Sequence, residues 1–244
     1  MTLYFSKKLK SLGIIHGTTD RTAGNMRLAE NTHALFRSLH IPEEKILRFK
    51  QIHSDNIVSI LSNQQATRQM AAPLAEADGW LLKPAQWGAA ILTADCVPLI
   101  IWDEKADIIG LAHCGWRGVA AQLPAKTVQA MKAAGAQGPL SAWTGPHIQA
   151  HSFEVQQDVA DQFPGCVSTK NGKLFVDLNR AISFQLTAQS IAEKNIEFCP
   201  HCTCAEPENF FSFRRDHTKD ALLTFVYKPS PKIDCTCSLG TDFI

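Results

Sequence analysis

The chain has 244 residues, 45% of them hydrophobic, and its 24 Lys+Arg against 23 Asp+Glu leave a formal net charge of +1. That balance excludes a strongly basic nucleic-acid binder or a polybasic membrane-surface protein, and the ordinary apolar fraction excludes intrinsic disorder. The length fits one large globular unit.

In chain order, the first thirteen residues contain no apolar run fit for a signal peptide. Asn25 is positioned to cap a helix over Met26–Leu39, with Met26, Ala29, Phe36 and Leu28, Leu35, Leu39 at helical spacing and Pro42 as a stop. β-rich runs follow at Ile46–Phe49, Ile57–Leu61 and Gly79–Leu82, and the polar stretch Ser62–Glu76 reads as a surface loop or lid. Ala89–Thr93, Val97–Trp102 and Ile108–Ala112 are almost continuously apolar, the pattern of strands buried on both faces. The most apolar window, Gly88–Trp102, contains Thr93, Asp95 and Pro98 and is too short to span a bilayer. A helix is expected over Gly118–Ala134, ended by Gly135, and others over Val155–Phe163 and Asn179–Lys194. Strands are expected at Leu140–Thr144, Lys173–Val176 and Leu222–Tyr227. Intermixed strands and helices predict a layered α/β or α+β domain over residues 1–228, with 229–244 as a Cys-containing tail.

Eight cysteines without a secretory signal point to a reducing, cytoplasmic compartment, where thiols serve metals or catalysis more often than disulfides. Cys96 sits between two buried runs, at a bend marked by Asp95 and Pro98, and His113 ends the next strand before a Gly-x-x-Gly turn into a helix. Polar reactive residues at strand ends beside a helix start occupy the places where α/β sheets expose sites. Gly115 and Gly118 allow close backbone approach to a ligand, and Arg117 adds a planar donor for phosphate or carboxylate. His53, Cys96 and His113, from three chain segments, suit a three-ligand Zn²⁺ site with one open position. The residues alone leave a second reading open, a buried thiol between two hydrogen-bonded core histidines. Cys199, Cys202 and Cys204 with His201, joined by Cys235 and Cys237, offer a second thiol cluster. His147 reads as a turn histidine and Glu154 as a helix-start residue.

The ordered set HGTTDR, QIHSDNIV, ADG, TADCVPLIIWD, GLAHCGWRG, TGPHIQAHSFEV and CTCAEPENFFSFRRD resembles the laccase-domain family of bacterial polyphenol oxidase-like proteins, from about Ile14 to Tyr227. Members of that YfiH-like family are also described as purine nucleoside phosphorylases and as peptidoglycan editing factors. The resemblance implies a single-domain α-β-β-α sandwich, akin in shape to cysteine-hydrolase-like domains, with His53, Cys96 and His113 as zinc ligands. It implies phosphorolysis of adenosine, inosine, guanosine or 5′-methylthioadenosine, with adenosine deamination at the same site. Cys114 departs from the family pattern, where a small residue such as Ala is usual.

Phosphorolysis needs an anion anchor. Arg21 stands where the family has the arginine of an N-terminal Ser-Thr-Arg element, Arg117 follows the GW pair, and Arg214 and Arg215 lie in FFSFRRD. Neighbouring side chains of an extended segment point to opposite faces, and Arg214 is taken as the one facing the site. Asp95 is the nearest carboxylate in sequence for a proton shuttle, or else a turn residue bonding its own backbone. The expected ligands are a nucleoside and phosphate, not nucleic acid or membrane, and the expected state is a monomer. Two other enzymatic readings stand beside this one. Cys96 as nucleophile with His113 as base would make a peptidoglycan-precursor amidase. A copper-dependent polyphenol oxidase is the weaker reading, because a four-copper centre uses about ten histidines and this chain has nine, none in His-x-His. A non-enzymatic reading makes it a zinc-stabilised interaction protein using the Cys-rich tail.

Overall fold

The structure is a computed structural model that describes residues 1–230; Cys235 and Cys237, and nearly all of the tail, lie outside the described residues. Two sheets stack face to face. One has six strands in the order Ile196–Phe198, Leu140–Thr144, Val97–Asp103, Ile108–Cys114, Gly79–Leu82, Ile57–Ile60. The other has five, in the order Leu3–Tyr4, Ile15–Thr19, Leu222–Lys228, Trp87–Thr93, Ile46–Leu47. A small antiparallel sheet of Glu154–Val155, Lys173–Val176 and Val167–Lys170 stands apart.

Strand alternation decides the layers, because successive side chains point to opposite faces. In Val97–Asp103, Ile100 and Trp102 enter a cluster with Ala89, Ile91 and Val226 of the five-stranded sheet, which is the inter-sheet core. Val97, Leu99 and Ile101 point the other way, onto Val128, Met131, Ile182 and Leu186 of the helices Leu123–Ala133 and Leu178–Ala188. On the far side of the five-stranded sheet, Leu223, Phe225 and Tyr227 pack on Leu35 and Phe36 of the helix Ala29–Ser38. The result is the α-β-β-α sandwich. No helix among the described residues is long and apolar enough to cross a membrane.

Several helices differ from their expected extents. The first starts at Ala29, not Met26, and Asn25 does not cap it. The Asn25 side chain instead accepts from Arg27 N at 3.0 Å and Ala221 N at 3.2 Å, an Asx turn that ties this segment to the final strand. The expected Gly118–Ala134 helix is two, Trp116–Ala120 and Leu123–Ala133, because Gln122 adopts a left-handed backbone at φ +68° and Pro124 restarts the helix in its first turn. Val155 lies in a strand opposite Leu174, leaving only Gln157–Ala160 helical. The expected Asn179–Lys194 helix runs Leu178–Ala188, capped by Asp177, whose carboxylate accepts from Arg180 N at 2.9 Å. Ser62–Glu76 is not all loop, since Ser62 caps the helix Asn63–Ala71 by accepting from Gln65 N at 3.2 Å.

Candidate active site

Two loops cross from the five-stranded to the six-stranded sheet at the same end of the sandwich. One joins Ile46–Leu47 to Ile57–Ile60 and carries His53; the other joins Trp87–Thr93 to Val97–Asp103 and carries Cys96. His113, opposite Pro98 in the ladder, lies between them. The register that sets Gly79 opposite Ala112 brings Asp78 beside His113, whose N–H donates to Asp78 O at 2.7 Å. Sheet register therefore assembles the site from residues up to sixty positions apart.

The ligand atoms of His53, Cys96 and His113 all lie within 4.8 Å of one another, with Cys96 Sγ 3.9 Å from His53 Nε2. The His53 and His113 rings meet nearly edge to face, centroids 4.9 Å apart. Among the described residues this is the only group of three such donors. His113 and Cys96 are buried and half-buried, whereas His53 is exposed, so the set opens on one side. Around a tetrahedral zinc, neighbouring N and S ligands stand about 3.3–3.6 Å apart, and modest side-chain rotation closes this trio on one ion. The donor set and its open side fit a metal.

Asp78, the aspartate of the ADG element, holds the arrangement together, although nothing in its local sequence marks it as part of the site. Asp78 Oδ1 accepts from His113 Nδ1 at 2.8 Å and from His53 N at 3.1 Å. Its Oδ2 accepts from Ile52 N at 3.2 Å, Ser54 N at 2.6 Å and Ser54 Oγ at 2.8 Å. Three successive amides thus converge on one carboxylate and keep His53 in its left-handed backbone at φ +60°. With Nδ1 of His113 donating to the carboxylate, Nε2 is left for the trio, the arrangement that orients metal-binding histidines.

The charges are strongly coupled. Burial works against the Asp78 carboxylate, but the His113 and Ser54 donors outweigh it and hold its pKa down to about 2. Burial also opposes the Cys96 thiolate, yet His113 and His53 bring the thiol down to about 6. Burial opposes the His113 imidazolium, and Cys96 and Asp78 raise it to about 9. The Cys96–His113 pair accordingly favours the thiolate, the form that binds metals or attacks as a nucleophile.

A cavity of about 740 Å³ opens on the trio, lined among others by Phe49, Trp116, Arg117, Phe153, Phe213 and Arg214. Arg117 stacks over Trp116, 4.4 Å from the ring centroid, and has no hydrogen-bonding or ion-pair partner among the described residues. Arg214 lines the same cavity, its guanidinium 5.3 Å above Phe153 and donating to Glu154 O at 2.5 Å. Arg21 does not line it; the side chain lies 5.0 Å over Phe211 and donates to the carbonyl of Pro207. Arg215 is engaged by its neighbour Asp216 and the carbonyls of Thr203, Cys204 and Phe210.

Asp95 is not a free proton shuttle. Its carboxylate accepts from Thr203 Oγ1 at 2.6 Å, Ser212 Oγ at 3.0 Å and Arg214 N at 2.7 Å. Gly115 is required for space, since its φ of −65° suits any residue but a Cβ there would stand 2.8 Å from His53 Cδ2 and 3.2 Å from Cys96 Sγ. Cys114 points away from the trio into the helix-facing core, where burial pushes its thiol up. His147 is buried in a parallel β-bridge to Cys202, not a turn, and is bonded to Gly145 O at 2.8 Å; Glu154 lies in a strand, paired with Lys173. Cys202 meets Gln149 N and Ser152 Oγ, each at 3.4 Å.

The profile of the family described as multi-copper polyphenol oxidoreductase laccase matches residues 7–226. Purine nucleoside phosphorylase YfiH of Escherichia coli (strain K12) is 29% identical over 206 residues, covering 81% of this chain and 79% of that one. A purine nucleoside phosphorylase of Aquifex aeolicus (strain VF5) is 32% identical over 184 residues, covering 75% and 83%. Among solved structures, YlmD from Geobacillus stearothermophilus superposes with a TM-score of 0.82 at 26% identity, covering 89% of this chain and 93% of that one. The Bacillus licheniformis hypothetical protein YfiH superposes with a TM-score of 0.84 at 22% identity, covering 93% and 96%, a likeness of fold. On the extent of the profile match, the chain belongs to the multi-copper polyphenol oxidoreductase laccase family.

Proposed function

We propose that this protein is a zinc-dependent purine nucleoside phosphorylase that also deaminates adenosine. The reading is carried by one observation: His53, Cys96 and His113 open together onto a cavity that also holds an unpartnered guanidinium, Arg117. The relatives named purine nucleoside phosphorylase support it. When bound, zinc supplies a Lewis acid at the open side of the trio. Asp78 fixes the His113 ring and the His53 backbone for that role. In phosphorolysis, a phosphate oxygen forms the bond to C1′ while the C1′–N bond to the base breaks, so an anion must stand beside the ribose. Arg117 and Arg214 are the side chains to hold it, as planar forks suited to phosphate. Arg21 stays outside the cavity lining, in contact with Phe211 and Pro207.

Zinc is favoured over copper because multi-copper chemistry needs several ligand clusters, and the described residues contain one. Metal analysis of the purified protein, with hypoxanthine and ribose 1-phosphate followed from inosine plus phosphate, tests the proposal. Both products are expected in equal amounts, and neither from Cys96→Ser; no product at full zinc occupancy overturns it.

A second reading has its own observation. Cys96, His113 and Asp78 are also ordered as nucleophile, base and orienting carboxylate. An amidase of that type requires Cys96 to be labelled stoichiometrically by iodoacetamide in an active, zinc-free protein, and zinc to suppress both labelling and turnover.

A further inference from the structure

Residues Phe213–Asp216 form a single helical turn in the cavity wall. Ser212 starts it by accepting from Arg215 N at 3.1 Å, and the same hydroxyl donates to Asp95 Oδ2 at 3.0 Å. Arg214 N donates to that oxygen at 2.7 Å, and Thr203 Oγ1 donates to Asp95 Oδ1 at 2.6 Å. Asp95 is itself buried, immediately precedes Cys96, and sits at φ +88°, a backbone region that side-chain-bearing residues rarely enter. Its carbonyl accepts from Ile148 N at 3.0 Å. One carboxylate therefore ties the loop carrying Cys96 to two distant chain segments, and every partner of that carboxylate is a donor.

The turn presents two side chains to the cavity. Phe213 is 59% exposed, with His217 edge-on to it at 5.9 Å. A large apolar ring left in water on a cavity wall, beside a cationic fork on Arg214, matches a ligand with a flat aromatic part and an anionic part.

We propose that the turn Phe213–Asp216 is a substrate-holding arm, with Phe213 stacking on the purine base, and that Asp95 is the positioning residue locking this arm to the Cys96 loop. The proposal rests on the phosphorylase reading for its ligand class. Alanine at position 95 removes both carboxylate oxygens, so Thr203 Oγ1, Ser212 Oγ and Arg214 N lose their shared acceptor, whereas an amide could keep all three by donating to the Thr203 hydroxyl. The arm then shifts relative to the trio without removal of any group in contact with substrate.

The test compares wild type, Asp95→Ala, Phe213→Ala and Phe213→Trp at equal zinc content, well below their melting temperatures. Phe213→Ala is expected to raise KM for inosine at least fivefold while leaving KM for phosphate unchanged, and Phe213→Trp to restore it. Asp95→Ala is expected to raise both KM values and to lower kcat/KM at least tenfold. Both KM values within twofold of wild type in Asp95→Ala, or an unchanged inosine KM in Phe213→Ala, overturn the proposal. Should Asp95→Ala fail to fold, Ser212→Ala removes one donor, leaves the carboxylate in place, and carries the same expectation at threefold or more. Equilibrium dialysis with hypoxanthine separates this idea from the catalytic one, since it needs no turnover. Binding by wild type that Phe213→Ala weakens fivefold or more upholds the arm even in a protein that releases no product. Equal binding by both, or none by wild type, overturns it.

Discussion

Asp78 accepts five hydrogen bonds through two oxygens, and each bond ties down a part of the site that would otherwise drift: the His113 ring, the Ser54 hydroxyl and the amides that hold His53. Asp78→Asn keeps the volume but sets an NH₂ against these donors. Zinc affinity, measured by competition with a chelator, is expected to fall by about 10–100-fold, the usual cost of losing the partner that orients a metal-binding histidine. Unchanged affinity would show that the trio is held by packing alone. His53, Cys96 and His113 were legible as a set through the family resemblance, the residues alone leaving open a buried thiol between two core histidines. Asp78 was not, since an Asp before a Gly reads as an ordinary turn and only the pairing of Gly79 with Ala112 sets it beside His113. Asp95, in sequence a candidate shuttle or a turn residue bonding its own backbone, instead accepts from three donors on two distant segments.

At the scale of elements, strands were read more closely than helices. Gly79–Leu82, Leu140–Thr144 and Lys173–Val176 have the expected bounds; the first two are buried throughout, the pattern of an interior ladder position, whereas the third runs from exposed Lys173 to buried Val176. Helix ends depend on side chains that find partners elsewhere in the chain, as Asn25 does with Ala221 N. The contact of the helix Leu123–Ala133 with the six-stranded sheet is close enough to need a glycine beneath it. A Cβ on Gly110 would stand 2.7 Å from Thr127 Cγ2 and 3.2 Å from Met131 Sδ. Gly110→Val is expected to destabilise the fold by about 1–3 kcal/mol through overpacking, read as a lower urea midpoint with an unchanged slope. A midpoint equal to wild type would mean that this helix can ride outward without cost.

The whole molecule depends on the apolar core between its two sheets, and His16 lies at the edge of it. The ring is buried, meets Trp143 of the opposite sheet at 5.6 Å, accepts from Ser6 N at 2.9 Å and donates to Ile14 O at 3.1 Å. Both ring nitrogens are thereby used in the neutral form, and burial lowers the pKa from 6.5 to about 4. The unfolded chain takes up this proton near pH 6.5 and the folded one only near pH 4, so stability rises with pH between those values. The contribution is complete above pH 6.5, declines as pH falls, and is gone below pH 4; it amounts to about 3 kcal/mol. His16→Gln is expected to flatten the pH dependence of unfolding between pH 6.5 and 4, even where it lowers stability overall. An acid limb as steep as that of wild type would place the titration on another group.

The His–Cys–His set was implied by a family resemblance; composition and apolar periodicity were enough by themselves to determine a layered α/β domain and its buried strands. These are local properties: each residue's preference is expressed within a few positions of itself. The tertiary structure alone decided which carboxylate serves the trio, which arginines line the cavity, and where the helices stop. Arg117 and Arg214 line it while Arg21 rests on Phe211 and Pro207, although all three are equally cationic in the sequence. Those choices follow from sheet register and loop crossing, which pair residues far apart in the chain, and a charge or a hydrogen-bonding group has no local signature of the partner it will meet.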